Sequence, residues 1–171
     1  MDGGLGTEQE RNDIVRFFQE FRNYIHQFSP DKPVMLATNS HHIHLAESTY
    51  ARLLPSLDIL CPFGFHRMPE GDFTGEEAAT VLQQLCSNAG SHLWMDLEVF
   101  DFATDGALIP RSINGLISDL TRFPNFETII CYQFPGLLNS PRMSIRPGGD
   151  PTIQLFLAYQ HYLNETKSLK K

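Results

Sequence analysis

The chain has 171 residues, 42% of them hydrophobic, with 20 acidic and 13 basic side chains and a formal charge of −7. That length supports one hydrophobic core and is short for two ordinary domains. The acidic balance, with no Lys/Arg run except the Lys167 to Lys171 tail, argues against a nucleic-acid partner and makes neutral substrates the expectation.

No segment reaches the ~18 apolar residues of a membrane span, and Met1-Asp-Gly-Gly-Leu-Gly6 has neither the basic nor the apolar region of a signal peptide. The sequence by itself gives no address. Cys61, Cys86 and Cys131 are odd in number, widely spaced and set in apolar segments without a Cys-x-x-Cys pair, the pattern of buried free thiols.

The predicted elements alternate helix and strand. Ile14, Phe17, Phe18, Phe21, Tyr24, Ile25 and Phe28 recur at helical spacing up to Ser29-Pro30-Asp31, a stripe expected to pack against a large neighbour. Pro33 to Thr38 reads as a buried strand with Asn39-Ser40-His41-His42 as its exit loop. A helix over Leu45 to Leu54 stops at Pro55, and a strand over Leu57 to Cys61 exits into Pro62-Phe-Gly-Phe-His-Arg67. Thr74 and Glu77 have the spacing of a capping box for a helix carrying Val81, Leu82 and Leu85, closed by Asn88-Ala-Gly90.

The strand His92 to Glu98 follows, then a loop from Asp101 to Pro110 with a turn at Asp105-Gly106, and a helix from Ser112 to Phe123 stopped by Pro124. Phe126 to Gln133 is the last strand. A long exit loop containing Arg142 and Arg146 leads to a helix from Pro151 to about Asn164. Residues 1–7 and 165–171 are expected to be disordered tails of a single (β/α)4 domain spanning 1–171.

The strand over 92–98 is the chemical centre of this pattern. Side chains alternate along a strand, so Trp94, Asp96 and Glu98 share one face, and Leu93, Met95 and Leu97 the other. Two steps of the strand separate Asp96 from Glu98 by about 6–7 Å. Acids at the C-terminal end of a buried parallel strand lie where α/β enzymes open their βα loops. The plain alternative is an ion pair or helix cap that happens to fall at a strand end.

Strands separated by helices call for a parallel sheet with right-handed crossovers. A doubly wound sheet fits poorly, because no Gly-x-Gly-x-x-Gly follows any strand. The fold class is therefore α/β, built of parallel (β/α) units. A (β/α)8 barrel needs about 250 residues, so this chain would supply half of one.

Leu93-Trp-Met-Asp-Leu-Glu98, then Tyr132-Gln-Phe-Pro-Gly136 at the end of the next strand, then a Pro-rich loop and a closing helix, resemble the bacterial domain-of-unknown-function 4434 family over roughly Asp31 to Leu163. This is a glycoside-hydrolase-like TIM-barrel family. The resemblance implies the C-terminal half of the barrel, carbohydrate as substrate class, and a secreted or cell-surface bacterial setting. Where relatives tend to place a Gln-Asp-Gly-like group, this chain has Cys61-Pro-Phe-Gly64, which leaves Phe63 and Phe65 as an aromatic pair to stack on a sugar.

Glycoside hydrolysis commonly uses two carboxyl groups flanking the bond, about 5 Å apart in retaining enzymes and about 6.5–9.5 Å apart in inverting ones. The resemblance puts Glu98 at strand seven, the nucleophile position, and the strand-four acid before residue 1. The chain on its own is then expected to be truncated and to dimerise or lack an N-terminal half-barrel. Asp96 would orient Glu98 or bind a hydroxyl. Trp94, Asn39, Arg67, Tyr132 and Gln133 are candidate substrate contacts, each also readable as a loop polar or core group satisfied locally.

No cofactor is called for. Two other function classes stay open: a metal-dependent hydrolase using His41, His42 and His44, and a carbohydrate-binding domain without catalysis.

Overall fold

The computed structural model describes residues 5–68, 74–123, 126–132, 137–144 and 148–168; the side chains of His44, Lys167 and Ser168 lie outside the description. In chain order the helices are α1 (Glu8–Phe28), α2 (Ser40–Leu45), α3 (Glu47–Leu53), α4 (Gly75–Ala89), α5 (Ile113–Arg122) and α6 (Gly149–Ser168). The strands are β1 (Met35–Asn39), β2 (Ile59–Phe63), β3 (His92–Glu98), β4 (Phe100–Phe102), β5 (Leu108–Pro110) and β6 (Thr128–Tyr132). Four of them form one parallel sheet in the order β1-β2-β3-β6, with β4 and β5 as a separate antiparallel pair. Sequential order with helical crossovers is the arrangement of a half barrel, and it excludes the exchanged strand order of a doubly wound sheet.

The residues group into two compact units. One comprises the chain to Asp96 together with 123–130; the other comprises Leu97–Arg122 and 131–171.

In the first unit, β1 pairs with β2 in register from Met35↔Ile59 to Asn39↔Phe63, and β2 with β3 at Ile59↔His92 and Leu60↔Leu93. The second strand therefore extends beyond its expected end at Cys61 and takes in Pro62. A proline removes a ladder donor, and it is tolerated here because the pairing to β3 stops two residues earlier, at Leu60↔Leu93, leaving that stretch edge-like. The start of β1 moves from Pro33 to Met35 because Asp58 holds the intervening residue. Its Oδ2 accepts from Val34 N–H at 2.7 Å, its Oδ1 accepts from Arg22 at 2.9 Å, and His26 lies 3.6 Å away.

Local chemistry sets the helix ends. Thr74 and Glu77 form the reciprocal capping box of α4, which closes on Gly90 at φ +74°, a left-handed conformation that glycine adopts without steric cost. The polar stretch after β1 is not a loop. Asn39 caps α2 through Oδ1, which accepts from His41 N–H at 2.9 Å, and the helix expected over 45–54 is α3, set off from α2 at Ala46. The apolar stripe of α1 also divides. Val15 is buried, whereas Phe17, Phe21, Tyr24 and Phe28 are 39% to 71% exposed, Phe17 stacked on Phe21 and Tyr24 tilted against Phe28.

In the second unit, the segment 101–110 is a hairpin rather than a loop. Phe100, Asp101 and Phe102 pair with Pro110, Ile109 and Leu108 around Asp105-Gly106. Arg111, just after β5, is tied to Asp119 of α5 by a buried 2.6 Å ion pair. Thr152 of α6 donates to Asn139 Oδ1 at 2.8 Å, and both are fully buried. Helix α6 continues to Ser168, so residues 165–168 are helical where a tail was expected.

None of the three cysteines is in a disulfide, and Cys61 and Cys86 are buried. Burial pushes both thiols up to about 12, so neither is a reactive thiolate at neutral pH.

Candidate functional site

Which sheet face carries the acids follows from one contact and the strand register. Thr38 Oγ1 and Tyr50 of α3 lie 2.9 Å apart in a hydrogen bond, so Thr38 points to the helices and Ala37 to the opposite face. Ala37 is paired with Cys61. Ile59 shares the face of Cys61 and is paired with His92, so alternation along β3 puts Trp94 and Asp96 on that face, away from α3; the Cys61 thiol is raised first by burial and second by the Asp96 carboxylate. Trp94, two residues earlier on the same strand, is half-buried. Asp96 itself is only 7% exposed.

The first unit also has a cavity of about 290 Å³ at the C-terminal ends of β1 and β2, lined by Asn39, His41, His42, Gly64, Arg67 and Met68. Two candidate substrate contacts, Asn39 and Arg67, therefore meet in one place. Gly64 sits at φ +84°, in the left-handed region, and turns the chain from β2 towards Arg67. His66 and Arg67 belong to the short 3-10 turn that follows.

Phe65 does not belong to this site. It is 1% exposed and packed between Phe123, at 5.4 Å between ring centroids, and Phe126, at 5.3 Å, so its faces are closed to a sugar. The aromatic pair proposed from sequence is corrected to Phe63 alone, which is half-buried at the end of β2. Nothing in the sequence marks His41, His42 and Met68 as walls of a shared cavity, because the helix that begins at Ser40 is only six residues long.

In the second unit, Glu98 ends β3 and is 3% exposed. The next residue, Val99, donates its N–H to the carbonyl of Tyr132 at 2.7 Å, so the ends of β3 and β6 run side by side. Tyr132 is half-exposed, with its ring edge-on to Phe100. Gln133 lies outside the described residues. Among the described residues there is no group of three or more His, Cys, Asp or Glu placed to hold a metal ion.

A parallel sheet in sequential order with helices in its crossovers defines a partial (β/α) barrel. The chain belongs to the DUF4434 family, a domain of unknown function whose family model matches residues 5–144. Among solved structures, it is similar to a Bacteroides thetaiotaomicron VPI-5482 protein provisionally described as an alpha-L-fucosidase. The TM-score is 0.66 at 13% identity, over 88% of this chain and 48% of that one. This chain thus spans about half the length of that relative, and the likeness is one of fold. No curated protein matches the sequence.

Proposed function

We propose that the chain forms part of the mouth of a carbohydrate-processing barrel, acting on or binding a sugar at the C-terminal ends of its strands. Glu98 takes the nucleophile or charge-stabilising role, Asp96 orients, and Trp94 is a platform for a sugar ring. Asn39, Phe63, Arg67 and Tyr132 are contacts, as is Gln133 on the ground of its sequence motif. The observation that carries this reading is the placement of two acids, 7% and 3% exposed, at alternate positions where an otherwise apolar strand ends. Burying a carboxylate is costly, and such groups concentrate at functional sites.

Hydrolysis needs a second carboxyl group across the scissile bond from Glu98. Asp96 shares a strand with Glu98, so the reading assigns the general acid to the other half of the barrel. Turnover by this chain alone is then weak. Assayed as part of an eight-stranded barrel on a panel of aryl glycosides, the protein should release aglycone, and Glu98→Gln should lower the rate by about a hundredfold or more. Unchanged hydrolysis by Glu98→Gln would remove that residue from the mechanism. Glycan binding without turnover by the complete barrel would instead favour the non-catalytic carbohydrate-binding reading.

The metal-hydrolase alternative has less support. His41 and His42 line the cavity, and no described carboxylate or thiol joins them there.

A further inference from the structure

Helix α1 carries two apolar seams, and its own chain covers one. The first, Val15, Phe18, Arg22 and Ile25, is buried or half-buried and is anchored by Arg22 on Asp58 at 2.9 Å. The second runs through Ile14, Phe17, Phe21, Tyr24 and Phe28, at the alternating three-and-four spacing of helix packing. Its four rings are 56%, 39%, 60% and 71% exposed. A helix apolar over so wide an arc needs cover on both sides.

Strand β1, which α1 feeds, is open as well. Among the described residues it pairs only with β2. The Val34 carbonyl accepts from Ile59 N–H at 3.1 Å, so backbone alternation turns the N–H groups of Met35 and Ala37 to the unpaired edge. Met35 is itself 44% exposed. At the other end of the sheet order stands β6, whose Ile129 and Ile130 are half-buried.

We propose that a second copy of this chain covers this face. Its β6 extends the sheet at β1, and the Phe17 to Phe28 seam of α1 packs over the added strand, as a crossover helix packs over the two strands it spans. A two-fold axis along the strands keeps that new pair parallel, and the same rotation joins the other two edges. The four rings leave roughly 350–550 Å² uncovered, and closing both seams with matching surface opposite buries roughly 1,400–2,200 Å², the range of a stable dimer. The inference rests on the partial-barrel fold and not on the carbohydrate reading, so either can fail alone.

The test is sedimentation equilibrium of the full chain over a concentration series, with hydrogen exchange read at single amides. The expected result is a dimer in which the Met35 and Ala37 amides are protected, and dilution to monomer should expose both while Leu36, which faces β2, stays protected. Tyr24→Lys with Phe28→Lys changes the two most exposed rings of the seam and moves the net charge from −7 to −5, so added repulsion cannot explain a loss. It should raise the dissociation constant about a hundredfold, tenfold for each ring, with the circular dichroism unchanged.

A monomer at every concentration would overturn the proposal, and so would a dimer that the two substitutions leave as tight as before. A dimer that they weaken, but in which Met35 and Ala37 exchange freely, would mean helix-to-helix pairing and overturn the strand seam.

Discussion

The ion pair between Arg111 and Asp119 offers the sharpest test of how the end of β3 is held. Its N–O distance is 2.6 Å, and its side chains are 8% and 4% exposed. Arg111 also donates its backbone N–H to the carbonyl of Val99, the residue after Glu98, at 3.0 Å. Removing one member of a buried pair typically costs about 3–5 kcal/mol, because the remaining charge is left without compensation. Here Asp101 lies 3.9 Å from Arg111 Nε but is half-exposed, so it offsets only part of the loss. We therefore expect Asp119→Ala to cost about 2–4 kcal/mol, shifting the urea midpoint down by roughly 1–2 M for a slope near 2 kcal/mol per M. Urea unfolding followed by circular dichroism and by fluorescence of Trp94, the only tryptophan, measures this. The apolar replacement Arg111→Met with Asp119→Leu should lie within about 1 kcal/mol of the native chain, since the penalty belongs to the orphaned charge rather than to the absence of a pair. A loss below about 0.5 kcal/mol for Asp119→Ala, the scale of an ordinary surface change, would refute the reasoning.

Asp58 supplies a prediction in pH. Burial alone would raise its carboxyl, but the Val34 N–H, the Arg22 guanidinium and His26 together outweigh that and hold it below its ordinary value. A depressed folded pKa stabilises the chain above the unfolded value, about 3.9, and that contribution is lost as the pH falls through the lower folded value. Thermal melts between pH 7 and pH 2 should therefore show a shallower acid loss in Asp58→Asn than in the native chain; an identical profile would contradict the assignment. A further prediction concerns association. The outer strands β1 and β6 and the exposed aromatics Phe17, Phe21, Tyr24 and Phe28 make a second copy of this chain the expected partner, since two four-stranded sheets complete eight strands. Light scattering across a concentration series should report dimers, and Phe17→Lys with Phe21→Lys should weaken association about a hundredfold or more, at roughly 1.5 kcal/mol or more per buried ring. A monomer at every concentration would exclude this partner.

What could be read from the sequence follows the distance over which each interaction acts. The capping box of Thr74 and Glu77, the glycine closure at Gly90 and the strand over 92–98 depend on near neighbours, and each stands where the sequence places it. The hairpin around Asp105-Gly106 was legible only as a turn, because its strands are three residues long and carry little periodic signal. The six residues of α2 escaped for the same reason, although Asn39 ahead of an apolar Ile43 is a helix-start signal. Contacts between distant residues left no trace. Nothing local links Arg22 to Asp58, or marks Phe65 for the core between Phe123 and Phe126 while Phe63, two residues earlier, stays half-buried.

The candidate site stands between these cases. Alternation along β3 places Trp94, Asp96 and Glu98 together, but it is indifferent to which face of the sheet they share. One tertiary hydrogen bond, Thr38 to Tyr50, turns Thr38 towards the helices, and the registers from Ala37 to Cys61 and from Ile59 to His92 carry that choice across three strands. A sequence can thus specify the spacing of a pair of acids while leaving their direction to a contact made by residues nearly sixty positions away.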